Sequence, residues 1–340
     1  MTTTRHLMLR AVAVTVASAL LSVPVVLASA KDEQAFVIRD SRVTESSGLA
    51  RDTRAKLYWT VNDSGDQGTV YGLTTSGDVR GIIGFRARPV DVEAVAMSGQ
   101  RLYVGDIGDN LRRRDMVTVY WFDNPRADNR TVPYRAYDFS YPDGPHDAET
   151  LLVDDSGRLY VVTKEAKGGI YVAPREPSRQ GVNKLRRVGD APAFVTDGVF
   201  LPGGDRIALR TYVSVVMLDG KTYRQVAQAA TPFQKQGESV AVSLDGKSLL
   251  VGSEGKRAPV LQVAIPRSGG EAPAGAVKPP ASAKPTPTPS ATDPGAEEDS
   301  DVEVEADPPA QRTGTILALS LAGLVALIAG LVVVGARSRS

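Results

Sequence analysis

The sequence predicts an all-β chain built as a five-bladed β-propeller, preceded by an export signal and followed by a stalk and one membrane-spanning helix. Three observations lead there. Between residues 35 and 266, short apolar, β-branched and aromatic runs alternate with Gly, Asp, Asn and Ser turns, with almost no helical periodicity. A strand start recurs five times, as SGLA at 47–50, EAVA at 93–96, ETLL at 149–152, DGVF at 197–200 and ESVA at 238–241. The spacings are 46, 56, 48 and 41 residues, and a period in the forties with several strands per unit marks propeller blades.

Taken in chain order, residues 1–30 read as a secretory signal. Arg5 and Arg10 flank the start of the apolar run 11–27, and Ala28-Ser29-Ala30 supplies small residues for cleavage before Lys31. An uncleaved anchor is the alternative. The propeller follows over 31–266. Each repeat start leads through a turn into a second strand, at LYWTV, LYVGD, LYVVT, IALRT and LLVGS, and then a third, at TVYGLT, VTVYWF, GIYVAP, VSVVML and PVLQVAI. Fourth strands are expected at 79–85, 134–139, 184–188 and 223–228. The fifth unit lacks one, and the unassigned run 36–43 is expected to supply it and close the ring, removing open edges. Six blades is the alternative if the long second or third unit hides another.

Residues 267–312 shift to Pro, Ala, Ser, Thr and Gly, with KPTPTPS at 284–290 and EEDSDVEVEAD at 297–307. Such a segment cannot bury a core. As an extended Pro-rich stalk it reaches on the order of 100 Å, which suits display through a cell wall. Residues 313–336 form the expected span, because the uncharged apolar run 315–336 makes about 33 Å of helix against a hydrocarbon layer of ~30 Å. Arg337 and Arg339 in the short tail 337–340 place that end in the cytoplasm. The expected localisation is therefore the cell membrane, single-pass type I, with the propeller outside.

Composition narrows the chemistry. There is no cysteine, which removes disulfides, thiolate metal sites and a Cys nucleophile. The two histidines are His6, in the signal, and His146, so multi-His zinc sites are excluded and any metal must be held by oxygen. A net charge of +1 with no basic stripe gives no footprint for nucleic acid.

In a propeller the first strand of each blade lines the channel and starts on the face where the second strand ends. That rule gathers Glu45 or Ser47, Glu93, Asp147, Glu149, Asp197 and Glu238 with Asn62, Asp63, Asp106, Lys164, Glu165, Arg210 and Glu254 at one mouth. Crowded carboxylates raise one another's pKa unless cations compensate. Ca2+, which takes six to eight oxygen ligands, is the expected ion. Glu93, Asp106, Asp109, Glu149 and Glu238 are the expected metal ligands, with Asn62, Asp63, Lys164, Asp197, Arg210 and Glu254 facing a ligand. The loops DIGDN at 106–110 and NDSGD at 62–66 resemble calcium loops, although Asp and Asn in turns more commonly cap the backbone. Glu93, Glu149 and His146 are the catalytic candidates, and Ser47 or Ser239 the conceivable partners of His146 in a Ser-His-Asp set. A structural turn histidine is the competing reading. Arg112-Arg113-Arg114 reads as a charged surface loop before a phosphate grip.

With ESSGLA at 45–50, VNDSGD at 61–66, DVEAVA at 91–96, VGDIGDN at 104–110 and PDGPHDAETLLVD at 142–154, residues 45–266 resemble uncharacterised actinobacterial secreted propeller proteins, WD40-like in architecture. The chain is similar, more distantly, to esterase-like phytase and phytase-type propellers. That second resemblance implies calcium-dependent phosphoester or ester hydrolysis in an acidic mouth, but the recognised phytase active-site strings are missing. Three functions are open at this point: a surface-displayed module binding a wall component or exported protein, a calcium-dependent hydrolase, and a wall-associated scaffold.

Overall fold

The computed structural model describes residues 33–63 and 68–267. The expected signal peptide, stalk and span, and residues 64–66 of the first acidic loop, lie outside the described residues. Among the described residues no helix is long and apolar enough to cross a membrane.

Every regular element described is a strand. β1 (Glu33–Val37) comes first. Blade one is β2 (Ser46–Asp52), β3 (Leu57–Asn62), β4 (Thr69–Leu73) and β5 (Val79–Gly84). Blade two holds β6 (Val92–Ser98), β7 (Arg101–Asp106) and β8 (Val117–Asp123), then the short β9 (Arg130–Thr131), then β10 (Arg135–Ser140). Blade three holds β11 (Ala148–Val153), β12 (Leu159–Thr163) and β13 (Gly168–Val172), then β14 (Val182–Lys184) and β15 (Arg186–Ala191). Blade four is β16 (Val195–Phe200), β17 (Arg206–Thr211), β18 (Ser214–Asp219) and β19 (Gln225–Ala230). Blade five is β20 (Gly237–Val242), β21 (Leu249–Ser253) and β22 (Pro259–Val263), completed by β1. The innermost strands β2, β6, β11, β16 and β20 touch in that cyclic order, so the chain is a closed five-bladed propeller.

The blades form where the sequence alternates sides. In β3, Tyr58 points into the apolar cluster shared with blade five, while Trp59 and Val61 enter the one shared with blade two. Successive side chains face opposite ways on a strand, and here both faces are covered, which is why the second strands read as unbroken apolar runs. Turns at the far ends of the blades are set by aspartates. Asp52 accepts from the N–H of Arg54 and Ala55, Asp154 from Ser156 and Arg158, and Asp219 from Lys221 and Thr222.

Closure occurs as expected, but earlier in the chain. β1 pairs antiparallel with β22, Phe36 opposite Val260, and the ladder continues as Ile38 N–H donates to Ala258 O at 3.0 Å. Asp40 then ends the strand, taking Arg42 N–H and guanidinium and turning the chain toward blade one, so residues 38–43 are not strand.

The length of the second and third units comes from straps, and it conceals no sixth blade. β9, within blade two's connection, pairs in parallel with β5 of blade one, and β14, within blade three's connection, pairs in parallel with β10 of blade two. Asn183 pins β14: its side-chain N–H2 donates to Asp138 O and Ser178 O, and its Oδ1 accepts from Ser178 N–H. The outer strand of blade three accordingly runs 186–191 instead of 184–188. Gly72 and Gly81 make room for the first strap, since a Cβ at either would overlap Ala127. Gly81→Val is therefore expected to lift residues 125–131 off blade one and cost about 1–3 kcal/mol, read as a lower urea midpoint with faster amide exchange confined to the strap.

Candidate functional site

All five channel strands open with a bulge, at the second residue of β6, β11, β16 and β20 and just after it in β2. The pairing skips between Ser47 and Ala50, Val92 and Ala94, Ala148 and Thr150, Val195 and Asp197, and Gly237 and Ser239. A bulged residue leaves the ladder and its side chain is re-aimed. In three blades that residue is a glutamate: Glu93, Glu149 and Glu238. In blade four it is Thr196, whose hydroxyl donates to Gly237 O at 2.7 Å, and beside the blade-one bulge Ser47 donates to Glu93 O at 2.6 Å. These two hydroxyls tie neighbouring blades together.

Asp63 leaves the end of β3, Asp91 precedes β6, and Glu93 is the bulged residue of β6. Carboxylate oxygens of the three lie within 4.8 Å of one another. Gly108 allows this, because a Cβ there would overlap the Asp91 carboxylate and come within 2.8 Å of Glu93 Cγ. Burial, reinforced by Asp91, Glu254, Glu45 and Glu238, pushes the Asp63 carboxyl up to about 8. Asp91 rises to about 6 through burial and its neighbour Asp147, with Arg114 opposing. Glu93 is held well above the carboxylate range by burial and then by Asp63 and Asp91. Next to them, burial and Glu238 raise Glu254 to about 7, and burial raises Glu238.

Lys164, at the end of β12, is the cation facing this group. It bonds Glu149 and lies 5.6 Å from the Tyr212 ring centre. Burial alone would lower its pKa, but Glu238, Tyr212 and Glu93 outweigh burial and keep it charged. One ammonium does not balance so many carboxylates. Two of their buried oxygens, Glu149 Oε2 and Glu238 Oε1, have no hydrogen-bond partner among the described residues. Gly108→Ala is expected to push Asp91 and Glu93 apart with the fold intact, and a cation held on them would be bound about tenfold more weakly, as read by calorimetric titration beside circular dichroism.

Other expected site residues are consumed by structure. Asn62 accepts from Thr44 and Glu45 N–H and donates to Arg42 O. Asp106 accepts from Val90 and Asp91 N–H and pairs with Arg114 at 2.9 Å, fixing the loop that carries Asp91. Asp109 caps its turn through Arg113 and Arg114 N–H, while its own N–H donates to Asp147 Oδ1. The second and third residues of the arginine triplet thus serve the turn, and Arg112 pairs with Glu165.

Asp197 lies one residue past its bulge, in register with Arg210. Its carboxylate takes the N–H groups of Gly198, Val240 and Leu49, reaching blade five and, across the axis, blade one. It closes the floor of the mouth, and burial raises its pKa well above normal despite those donors. A funnel lined by Leu49, Val95, Leu151 and Val199 together with Arg51, Thr53, Ser98 and Asp155 lies at the far end of the channel. Arg210 is wholly buried, donating to Thr231 and Gln234 and packed on Gly237, and burial depresses its pKa to about 10 against the pull of Glu238 and Asp197.

His146 sits apart from the carboxylate trio. Its Nδ1 faces Glu165 Oε1 at 3.1 Å and its Nε2 faces the Tyr171 hydroxyl at 3.0 Å and Asp143 at 3.1 Å. No serine hydroxyl is among these neighbours, and Ser47 is committed to Glu93 O, so a Ser-His-Asp set does not form.

Sequence reasoning missed Asp91 and Tyr212. A signal for the first was present: Asp91-Val92-Glu93 and Asp147-Ala148-Glu149 repeat a D-x-E pattern at two blade starts, and residues two apart on a strand share a face.

No protein-family model matches this chain, and no curated protein matches it. Among solved structures it is similar to a gluconolactonase from Xanthomonas campestris, with 15% identity over 67% of this chain and 88% of that one and a TM-score of 0.39. It is similar also to a luciferin-regenerating enzyme, at 10% identity over 68% and 96% with a TM-score of 0.40. A third is the Cps50 (Swd1) propeller domain of Myceliophteria thermophila, at 12% identity over 65% of each chain with a TM-score of 0.37. The blade count and the site described above rest on this chain's own strand order and contacts.

Proposed function

We propose that this chain is a membrane-anchored extracytoplasmic binding module whose acidic mouth takes one Ca2+ on Asp63, Asp91 and Glu93 and, through it, an anionic group of a wall component or another exported protein. The observation that carries this reading is the convergence of three carboxylates whose oxygens lie within 4.8 Å of one another, each with its pKa raised by burial and by its acidic neighbours. Three carboxylates fill part of a shell of six to eight oxygens, leaving positions for water and ligand. Buried Glu238 and Glu149, each with an unpartnered oxygen, add negative potential behind them.

Calorimetric titration of calcium into the wild type and into Glu93→Gln and Asp91→Asn is the test. The variants are expected to lose affinity by about 10–100-fold, and equal binding by all three proteins ends the reading. A second reading, a calcium-dependent phosphoester or ester hydrolase, is favoured by one observation: Glu254, next to the trio but not one of its ligands, is raised to about 7 by burial and Glu238, so it would exchange a proton near neutrality with water on a bound metal. Turnover of a phosphatase and esterase panel that disappears with chelator would select it, and calcium binding without turnover selects the module.

A further inference from the structure

Large apolar side chains left in water are not spread evenly over this propeller. Of the eight exposed ones among the described residues, six belong to loops of the mouth face, where second strands end and channel strands begin. Phe233 is 88% exposed, Val90 75%, Val213 61% and Leu111 60%. They come from the connections before β20 and β6 and from the β17–β18 and β7–β8 loops, so they ring the acidic centre. Loops of this face, the β21–β22 loop included, carry the exposed cations Arg88, Arg113, Lys235, Lys256 and Arg257, none of which has a side-chain ion pair among the described residues, against the exposed carboxylate Asp115. A rim that is at once apolar and cationic, with arginine prominent, has the composition of an interaction surface, and its charge calls for an anionic partner with apolar side chains of its own.

This chain contains one such segment. Residues 297–307, EEDSDVEVEAD, hold seven carboxylates with Val302 and Val304 alternating among them. We propose that this segment docks on the rim of the mouth face of its own propeller, its acids on the rim cations and its valines against the exposed apolar side chains. Reach permits it. Residues 268–296 give 29 residues of tether after Arg267, roughly 45 Å at half of full extension, and a six-residue strand makes a blade only about 20 Å tall. Tethering substitutes for intrinsic affinity: at an effective concentration on the order of 1 mM, a Kd of about 0.2 mM leaves the rim covered roughly five-sixths of the time. The proposal depends on the outer loops and not on the carboxylates at the centre, so it stands or falls separately from calcium binding.

Amide exchange in the full chain in detergent micelles tests it, with a second protein in which the seven acids of 297–307 are changed to Asn or Gln. These changes lie outside the propeller and leave its core untouched. In the wild type, exchange in loops 107–116 and 231–236 is expected to be about sixfold slower than in the neutralised chain, with the difference lost in 0.5 M salt and unchanged on tenfold dilution. Phe233→Ser with Lys235→Glu is expected to speed exchange in the distant loop 107–116 as much as neutralising the segment does. Equal exchange in wild type and neutralised chain overturns the proposal. A difference that vanishes on dilution also overturns it, by assigning the rim to a second copy or another partner. Running the comparison in chelator and in calcium keeps the two readings separable, since loss of calcium binding leaves this difference in place.

Discussion

Calcium at a hundred times its Kd is expected to stabilise the chain by about 2.7 kcal/mol, which for a propeller of this size raises Tm by about 5–10 °C. Glu93→Gln should abolish most of that shift. The pH dependence follows from the same groups. Asp63, Glu254 and Asp91 have folded pKa values of about 8, 7 and 6, against about 4 for carboxyls in an unfolded chain. Between about pH 4 and pH 8 the folded protein therefore holds protons that the unfolded chain has released, and the stability of the metal-free protein falls as pH rises through that window. Calcium displaces those protons. Its affinity should thus climb between pH 6 and 8, while the same rise in pH lowers the Tm of the chelated protein. Differential scanning at pH 5.5, 6.5, 7.5 and 8.5, with calcium and with chelator, gives two curves that must diverge as pH increases. Parallel curves would remove the carboxylate trio as the site.

Asp197→Ala should produce the largest loss of stability of any single change at the channel. The carboxylate is buried and accepts from three backbone N–H groups in blades four, five and one. Its removal strands those donors where water does not replace the acceptor, at about 1–3 kcal/mol each for unmatched groups, for a total of roughly 3–9 kcal/mol and a Tm lower by on the order of 10–20 °C. Asp197→Asn keeps one carbonyl acceptor and should lose roughly half as much. Because Asp197 stands outside the calcium trio, the surviving folded protein should keep its calcium response. A variant that unfolds at the wild-type midpoint would show that the blades are held by their apolar interfaces alone.

Much of the architecture could be read from the chain because blades repeat. The recurrent strand start, the apolar second strands and the missing fourth strand of unit five all have direct counterparts in β2 to β22 and in the pairing of β1. Legibility stopped where residues act on a neighbouring blade. A two-residue strand such as β9 has no periodicity to detect, and its partner β5 lies more than forty residues earlier, so the straps looked like surplus length. Asp197 was aligned with Glu93, Glu149 and Glu238 by sequence, but the bulge falls on Thr196, and one residue of offset moves a side chain from the mouth to the floor. Asp106, Asp109 and Asn62 looked like ligands because they are oxygen-bearing residues in turns. Whether such an oxygen faces an ion or the chain's own N–H groups depends on loop conformation, which composition does not encode. Asp91 differs: the D-x-E repeat at 91–93 and 147–149 marked it.

The pairing of β1 with β22 also constrains how the molecule is made. Val37 meets Pro259 across 222 positions of sequence, so the first strand to be synthesised waits for almost the last before either edge is covered. Loop closure over such a distance is entropically slow, and until it happens blade five presents an unpaired rung. Until then the chain is an open arc with two uncovered edges, and only the meeting of its two ends makes it a ring.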